Sequence, residues 1–279
     1  MALLLLAKNW ADDRIVAATV DHQLRPESAD EAIFVADLCR TLDVPHIILT
    51  PTEKIAGNIQ SSARAVRYAL LHDAAGAHGC SVIATAHHGD DQLETILMRL
   101  VRGSGIDGLT AIRRRNGRII RPLLPFSKSE LEEICANAQV EPVRDPSNDN
   151  PEFDRVAMRQ WLAWSPHPFD TERVRQSAKA LGDASEAIEW VTDELAKTRI
   201  AKNDEDIQYD ASALPHELKR RLLLRCLNMM EPGLIPRGEA LERVIAELAV
   251  GKNAMIGNVL CKGGDVWHLS LAPPRRTGG

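Results

Sequence analysis

No two of the five cysteines (Cys39, Cys80, Cys135, Cys226 and Cys261) stand in a C-x-x-C pair, and their number is odd. That leaves no disulfide framework and no thiolate set for zinc or an iron–sulfur cluster. Buried small apolar side chains in a reducing compartment are the expectation. No apolar run is long enough to span a bilayer, so no membrane partner is expected. The opening MALLLLAKNWADD lacks the basic segment of an export signal, and Lys8, Asp12 and Asp13 follow its leucines at once. Positive charge is not in excess either. The net charge of −5 gives no global attraction to nucleic acid, so any such contact must come from a local patch. Internal repeats and low-complexity tracts are also missing. What remains is ordinary for a cytoplasmic globular chain, with 44% hydrophobic and 26% charged residues. A length of 279 residues suits two domains and a substantial core.

The first half alternates strand and helix patterns. RIVAATV (14–20), VPHIIL (44–49) and SVIATA (81–86) read as buried strands. Helices are expected from a Ser28–Glu31 capping box to about Leu42, from Asn58 to about Ala77, and from near Asp90. The last of these carries Leu93, Ile96, Leu97, Leu100 and Val101 at the spacing of one buried face. Such βα units imply an α/β fold with a parallel sheet covered by helices. The first element, however, is a leucine-rich helix around Leu3 to Trp10. Its four successive leucines need partners on several sides. We expect a strand and its loop to be missing ahead of it, leaving Leu3 to Leu6 poorly covered and prone to association, as in a homodimer.

Further along, RRRNGR (113–118) carries an Asn-Gly turn signal and predicts a small hairpin. Ser129-Glu-Leu-Glu132 can cap the next helix, and a turn-rich RDPSNDN (144–150) precedes a helix bearing Arg155 and Arg159. Two prolines in WSPHPFD (164–170) mark the expected boundary, giving domains 1–165 and 166–279. The second domain reads as mainly helical, over 171–197, 215–229 and 236–248, with a C-terminal hairpin turned at Gly263–Gly264.

ATAHHGDDQLET (84–95) gathers five ionisable groups within eight positions: His87, His88, Asp90, Asp91 and Glu94. They fall where a strand ends and a helix begins, the edge at which open α/β sheets bind ligands. A plain helix cap needs one short polar residue, not five. A metal site is a second reading, since imidazoles and carboxylates suit several ions. Adjacent His-His and Asp-Asp pairs diverge, however, and a Mg²⁺ held by one carboxylate (Asp91) and substrate phosphates fits better.

HHGDDQLETILMRLVRGSGIDGL resembles a signature of the tRNA(Ile)-lysidine synthetase family, a branch of the PP-loop ATP pyrophosphatases. VDHQLRPESADEA (20–32), SARAVRY (62–68), RPLLPFSKSEL (121–131) and RDPSNDNPEFDRVAMR (144–159) resemble its other motifs, in the same order. The resemblance covers most of residues 1–160 and continues faintly to about Leu271. It implies an adenine nucleotide α-hydrolase-like (Rossmann-like) domain lacking its first strand, followed by a smaller mainly helical tRNA-binding domain. It also implies the reaction. ATP adenylates the C2 oxygen of the wobble cytidine of a tRNA(Ile) with a CAU anticodon, and the ε-amine of free L-lysine then displaces AMP.

The residue types suit that chemistry. A lysine amine needs carboxylates for recognition and must lose a proton to attack, roles open to Asp90, Asp91 and Glu94. Phosphates call for guanidinium and imidazole donors, for which His87, His88, Arg64, Arg67, Arg155 and Arg159 are the candidates. From Arg102 to Lys128 seven basic residues meet one acidic residue, Asp107. Arg113, Arg114, Arg115 and Arg118 on the hairpin are therefore the expected tRNA contacts, with Lys219, Arg220, Arg221 and Arg225 a weaker second patch.

Two departures from the family pattern stand out. The SGGxDS phosphate loop occurs nowhere in the sequence, and Val156 follows Arg155 where asparagine is frequent. The first leads us to expect that the chain as written starts late and cannot complete the reaction, because such a loop holds the triphosphate. Three rivals follow: a thiolating relative, disfavoured without C-x-x-C pairs; a metal-dependent phosphohydrolase using His87, His88 and Asp91; and an inactive tRNA-binding remnant.

Overall fold

The computed structural model describes residues 1–11, 14–23, 27–52, 59–142, 154–164, 167–203 and 205–272, with side chains in the third helix described from Ser62 onward. RDPSNDN (144–150) and residues 24–26 of VDHQLRPESADEA lie outside them. Two compact units meet between Gly182 and Asp183.

The first unit begins with α1 (Ala2–Ala11), whose Leu3, Leu5 and Leu6 pack on a cluster of Ala2, Leu123, Leu131 and Cys135. The leucines expected to be poorly covered thus have a partner, α6 (Lys128–Asn137). β1 (Ala17–Val20) pairs in parallel with β2 (His46–Leu49), and α2 (Ser28–Thr41) connects them. Glu27, not Ser28, occupies the N-cap of α2; the Ser28 hydroxyl donates instead to Asp21 Oδ1 at 2.6 Å.

α3 (Ile59–Ala77) contacts both β1 and β3 (Ile83–Ala84). α4 (Gly89–Val101) and the short α5 (Ile106–Leu109) follow. The RRRNGR segment forms the predicted hairpin, β4 (Arg115–Asn116) against β5 (Ile119–Ile120), with Gly117 at φ +57° in its turn. β5 also runs parallel to β3, so the hairpin is fixed beside the strand that feeds α4. α6 is capped by Ser127, two residues earlier than the sequence suggested. Its hydroxyl accepts from Glu130 N–H, and Glu130 Oε2 accepts in return from Ser127 N–H at 2.7 Å. α7 (Asp154–Trp164) then packs against α4.

α8 (Thr171–Arg199) carries the chain through the division between units. In the second unit, α9 (His216–Met230) and α10 (Gly238–Ala249) join β6 (Ile200–Lys202), β7 (Asp206–Tyr209), β8 (Asn253–Ile256), β9 (Val259–Lys262) and β10 (Trp267–Leu271). The strands form one antiparallel sheet in the order β6-β7-β10-β9-β8. The expected C-terminal hairpin is therefore only part of a five-stranded sheet. Burial alternates along β7, β8, β9 and β10, as the two-residue strand period requires, and Leu241, Val244, Ile245 and Leu248 bury one face of α10. Tyr209 and Trp267 meet edge to face at 5.3 Å in that core. Cys226 and Cys261 lie there too, their thiols pushed up to about 12 by burial. All five cysteines are free, and only Cys80 is not buried.

Candidate active site at the start of α4

β1 and β3 each run parallel to a neighbour, and the polar residues gather just beyond their carboxyl ends. After β1, Asp21 is buried and accepts from Gln23 N–H at 2.8 Å as well as from Ser28. His22 follows, its pKa lowered by burial and by the nearby Arg67 cation against the pull of Asp21. After β3 come Thr85, His87 and His88. Thr85 Oγ1 lies 3.1 Å from His87 Nδ1, and His88 occupies the N-cap of α4.

The buried face of the start of α4 is polar. Gly89, Asp91, Gln92, Leu93 and Glu94 are buried, while Leu100 and Val101, expected in the core, are 53% and 81% exposed. Gly89 N–H donates to Phe126 O at 2.7 Å, and a side chain on Gly89 would meet that oxygen and Thr171 Cγ2 at 3.0 Å. Gln92 Oε1 accepts from Ile112 N–H at 2.9 Å, tying the helix to the arm of the basic hairpin.

The three expected catalytic carboxylates part company. Asp90 Oδ2 accepts from Lys128 N–H at 2.7 Å, the first residue of α6, and is partly exposed. It holds two helix starts together. Asp91 and Glu94 instead point to α7. Asp91 Oδ2 accepts from His88 N–H at 3.0 Å, and Arg159 Nη2 donates to its Oδ1 at 3.3 Å. Arg159 Nε donates to Glu94 Oε1 at 2.5 Å, and Arg155 Nε lies 3.3 Å from Glu94 Oε2 while its Nη2 donates to Thr95 Oγ1 at 2.9 Å. One guanidinium is thus seated between two buried carboxylates. Burial pushes the Glu94 carboxyl above its ordinary value, although Arg159 opposes the shift.

The adjacent histidines differ in charge for a physical reason. His87 is pushed down to about 4, chiefly by burial; Asp91 opposes this, while the Arg121, Arg64 and Arg155 cations add to it. Burial would also lower His88, but its contact with Asp90 at 3.5 Å and the charges of Asp91 and Glu94 prevail, so its pKa is raised. His87 is neutral near pH 7, while His88 holds a proton more tightly than an ordinary imidazole.

Arg64 lies over the Tyr68 ring at 5.0 Å and is exposed, as is Arg67. On the hairpin, Arg113, Arg114 and Arg115 are exposed, but Arg118 donates to Cys80 O and so fastens the hairpin rather than reaching outward. Three of the four cations of the weaker patch on α9 are paired: Arg220 with Glu217, Arg221 with Glu189 and Glu217, and Arg225 with Glu189 and Asp193.

Among the described residues no three His, Cys, Asp or Glu side chains are grouped to hold a metal ion. His87 and His88 face different partners. Asp91 has one oxygen on an N–H and the other on a guanidinium, the setting of an anion among donors. That donor set does not fit a Mg²⁺ ion caged by protein ligands, which want hard oxygens around them. Asp21, His22, Thr95 and Arg121 went unnamed as site residues in the sequence reading; a single Arg between the apolar pairs of IIRPLL was the only signal for the last.

Residues 1–164 match the family described as the PP-loop domain. A tRNA(Ile)-lysidine synthase from Zymomonas mobilis is 42% identical, with 99% of this chain aligned to 86% of that protein. The chain belongs to the tRNA(Ile)-lysidine synthase family. Family members from Novosphingobium aromaticivorans and Bradyrhizobium sp. are each 36% identical, covering 99% and 100% of this chain and 87% and 88% of their own lengths. A solved U34-tRNA thiolase, NcsA from Methanococcus maripaludis with its [4Fe-4S] cluster, is 14% identical with a TM-score of 0.52. The match covers 64% of this chain and 66% of that one, and it shows a shared fold alone. The PP-loop match carries ATP use with it. No described helix of this family member is long and apolar enough to cross a membrane.

Proposed function

We propose that this chain is an ATP-dependent ligase that joins lysine to C2 of the wobble cytidine of a tRNA(Ile) bearing a CAU anticodon. The observation that carries the reading is the seating of Arg159 between Asp91 and Glu94. A buried carboxylate pair that already holds one cationic side chain has the charge and shape to hold another, the ε-ammonium of free lysine. Arg159, about a third exposed, can swing aside towards a phosphate when that ammonium arrives.

The chemistry balances in two steps. The cytidine C2 oxygen attacks the α-phosphorus of ATP, forming a C–O–P linkage and releasing pyrophosphate. The ε-amine, having given up a proton, then attacks C2 and AMP leaves. Glu94 suits the proton acceptor, since a carboxyl raised by burial is a better base than an exposed one. Asp91 anchors the ammonium. Asp90, committed to α6, aligns His88 and the start of α4. Neutral His87 offers a ring N–H or lone pair, and Arg64, Arg67 and Arg155 suit the phosphates. Mg²⁺ would enter with ATP on its phosphate oxygens. Arg113, Arg114 and Arg115 suit the tRNA backbone. We assign residues 1–165 to catalysis and 166–279 to tRNA binding.

The test is ATP-dependent transfer of labelled lysine to a CAU-anticodon tRNA(Ile) transcript, by this chain and by a version carrying an SGGxDS strand-and-loop ahead of Met1. Asp91→Asn should abolish transfer and leave tRNA affinity nearly intact. Full transfer by that variant, or none by either parent form, would overturn the reading.

A further inference from the structure

Arg121 follows β5 directly, and only 7% of it is exposed. Its Nη1 donates to Arg113 O at 2.7 Å, its Nε is buried without an acceptor, and no described carboxylate pairs with it. The other arginine buried among the described residues, Arg221, has Glu189 and Glu217 against its guanidinium at 2.7 Å. A buried cation without an anion is strongly unfavourable, so chains retain one where something else supplies the charge.

Its position says what that is. β5 pairs in parallel with β3, Ile120 opposite Ala84, so Arg121 stands at the same carboxyl edge as His87. Arg121, Arg64 and Arg155 are all near enough to His87 for their charges to act on its ring. Arg155 already has Glu94, while Arg64 meets only Tyr68 among the described residues. Two guanidinium groups without described carboxylates thus act by their charge on a neutral imidazole at a ligand-binding edge. A guanidinium fork matches phosphate oxygens, and its Nη2 hydrogen-bonds to no described residue.

We propose that Arg121 is a nucleotide-binding residue, its guanidinium taking a phosphate oxygen of the ATP bound beside His87. The proposal rests on the ligase reading above and adds to it a residue buried beforehand in the shape of an anion site. An RNA phosphate shares the chemistry, and the experiment separates the two.

Binding of ATP and of inorganic pyrophosphate is measured by calorimetry on the chain, Arg121→Met and Arg121→Gln, beside unliganded melting and tRNA affinity. The glutamine can still donate to the Arg113 carbonyl but carries no charge, so it decides the matter should the methionine variant fail to fold. Removing an uncompensated charge should leave the unliganded melting temperature unchanged or higher. ATP affinity should fall about tenfold or more, and tRNA affinity should hold. Unchanged ATP affinity in Arg121→Gln overturns the proposal, as does a loss confined to tRNA. So does a lower melting temperature with ATP binding intact, which would make Arg121 a prop for the hairpin. Lysine transfer by the two parent forms, the chain itself and the version carrying the added SGGxDS strand and loop, tests the ligase reading separately.

Discussion

Replacing Arg159 with methionine keeps most of the apolar stem and removes the cation seated between Asp91 and Glu94. Arg159 donates to Glu94 at 2.5 Å and to Asp91 at 3.3 Å, and both carboxylates are buried. Breaking a fully buried pair costs about 3–5 kcal/mol. Two features lower that figure here. The Arg159 side chain is 37% exposed, and Arg155 stays 3.3 Å from Glu94. About 1–3 kcal/mol is the expected loss, read as a 5- to 150-fold (order-of-magnitude) drop in amide-exchange protection along α4. The loss should depend on pH. Burial already raises the folded-state pKa of Glu94 against the opposition of Arg159, so its charged form costs stability above that pKa, a cost relieved as pH falls and the carboxyl takes a proton. Without Arg159 the pKa rises further. The deficit should therefore be larger at about pH 8 than at about pH 5, and Glu94→Gln added to Arg159→Met should recover much of it. Equal losses at both pH values, or no loss at all, would refute the electrostatic account.

Three further outcomes follow from the same geometry. In an imidazole NMR titration, His88 should take its proton above the ordinary 6.5, while His87 should stay neutral down to about 4; two curves near 6.5 would show that burial and Asp90 do not separate them. Replacing Arg113, Arg114 and Arg115 together by alanine should weaken tRNA binding and flatten its logarithmic salt slope by up to about three, and an unchanged slope would free the hairpin of any phosphate contact. Leu223→Ala, at a position with no exposure in the core of the second unit, should destabilise that unit by about 2–5 kcal/mol, seen as lost exchange protection in β7 and β10; a loss below about 1 kcal/mol would mean the core is not packed as described.

The strand and helix order of the first unit, the Asn-Gly hairpin and the polar cluster at the start of α4 were all legible in the chain. Each is set by neighbours a few residues away: apolar period, turn chemistry, caps. Even there the choice between near-equivalent caps was not, since Ser127 and Ser129 each stand three residues before a glutamate; the structure uses Ser127 with Glu130, where Asp90 also accepts from Lys128 N–H. Leu100 and Val101 fit the apolar stripe of α4, yet no described element covers them, and the stripe gives way to Asp91 and Glu94 because α7 brings arginines to that face. The partner of Glu94 lies 65 positions along the chain and that of Arg225 lies 36, separations that no local pattern encodes. For the same reason α9 read as a basic patch until α8 laid Glu189 and Asp193 beside it, and short strands far apart in sequence gave no sign of a five-stranded sheet. The sequence by itself determined the family, the elements and the residue types of the site. Tertiary structure alone decided which charges are neutralised and which, like Arg121, are buried without a described carboxylate, because charge pairing depends on distance in space and burial.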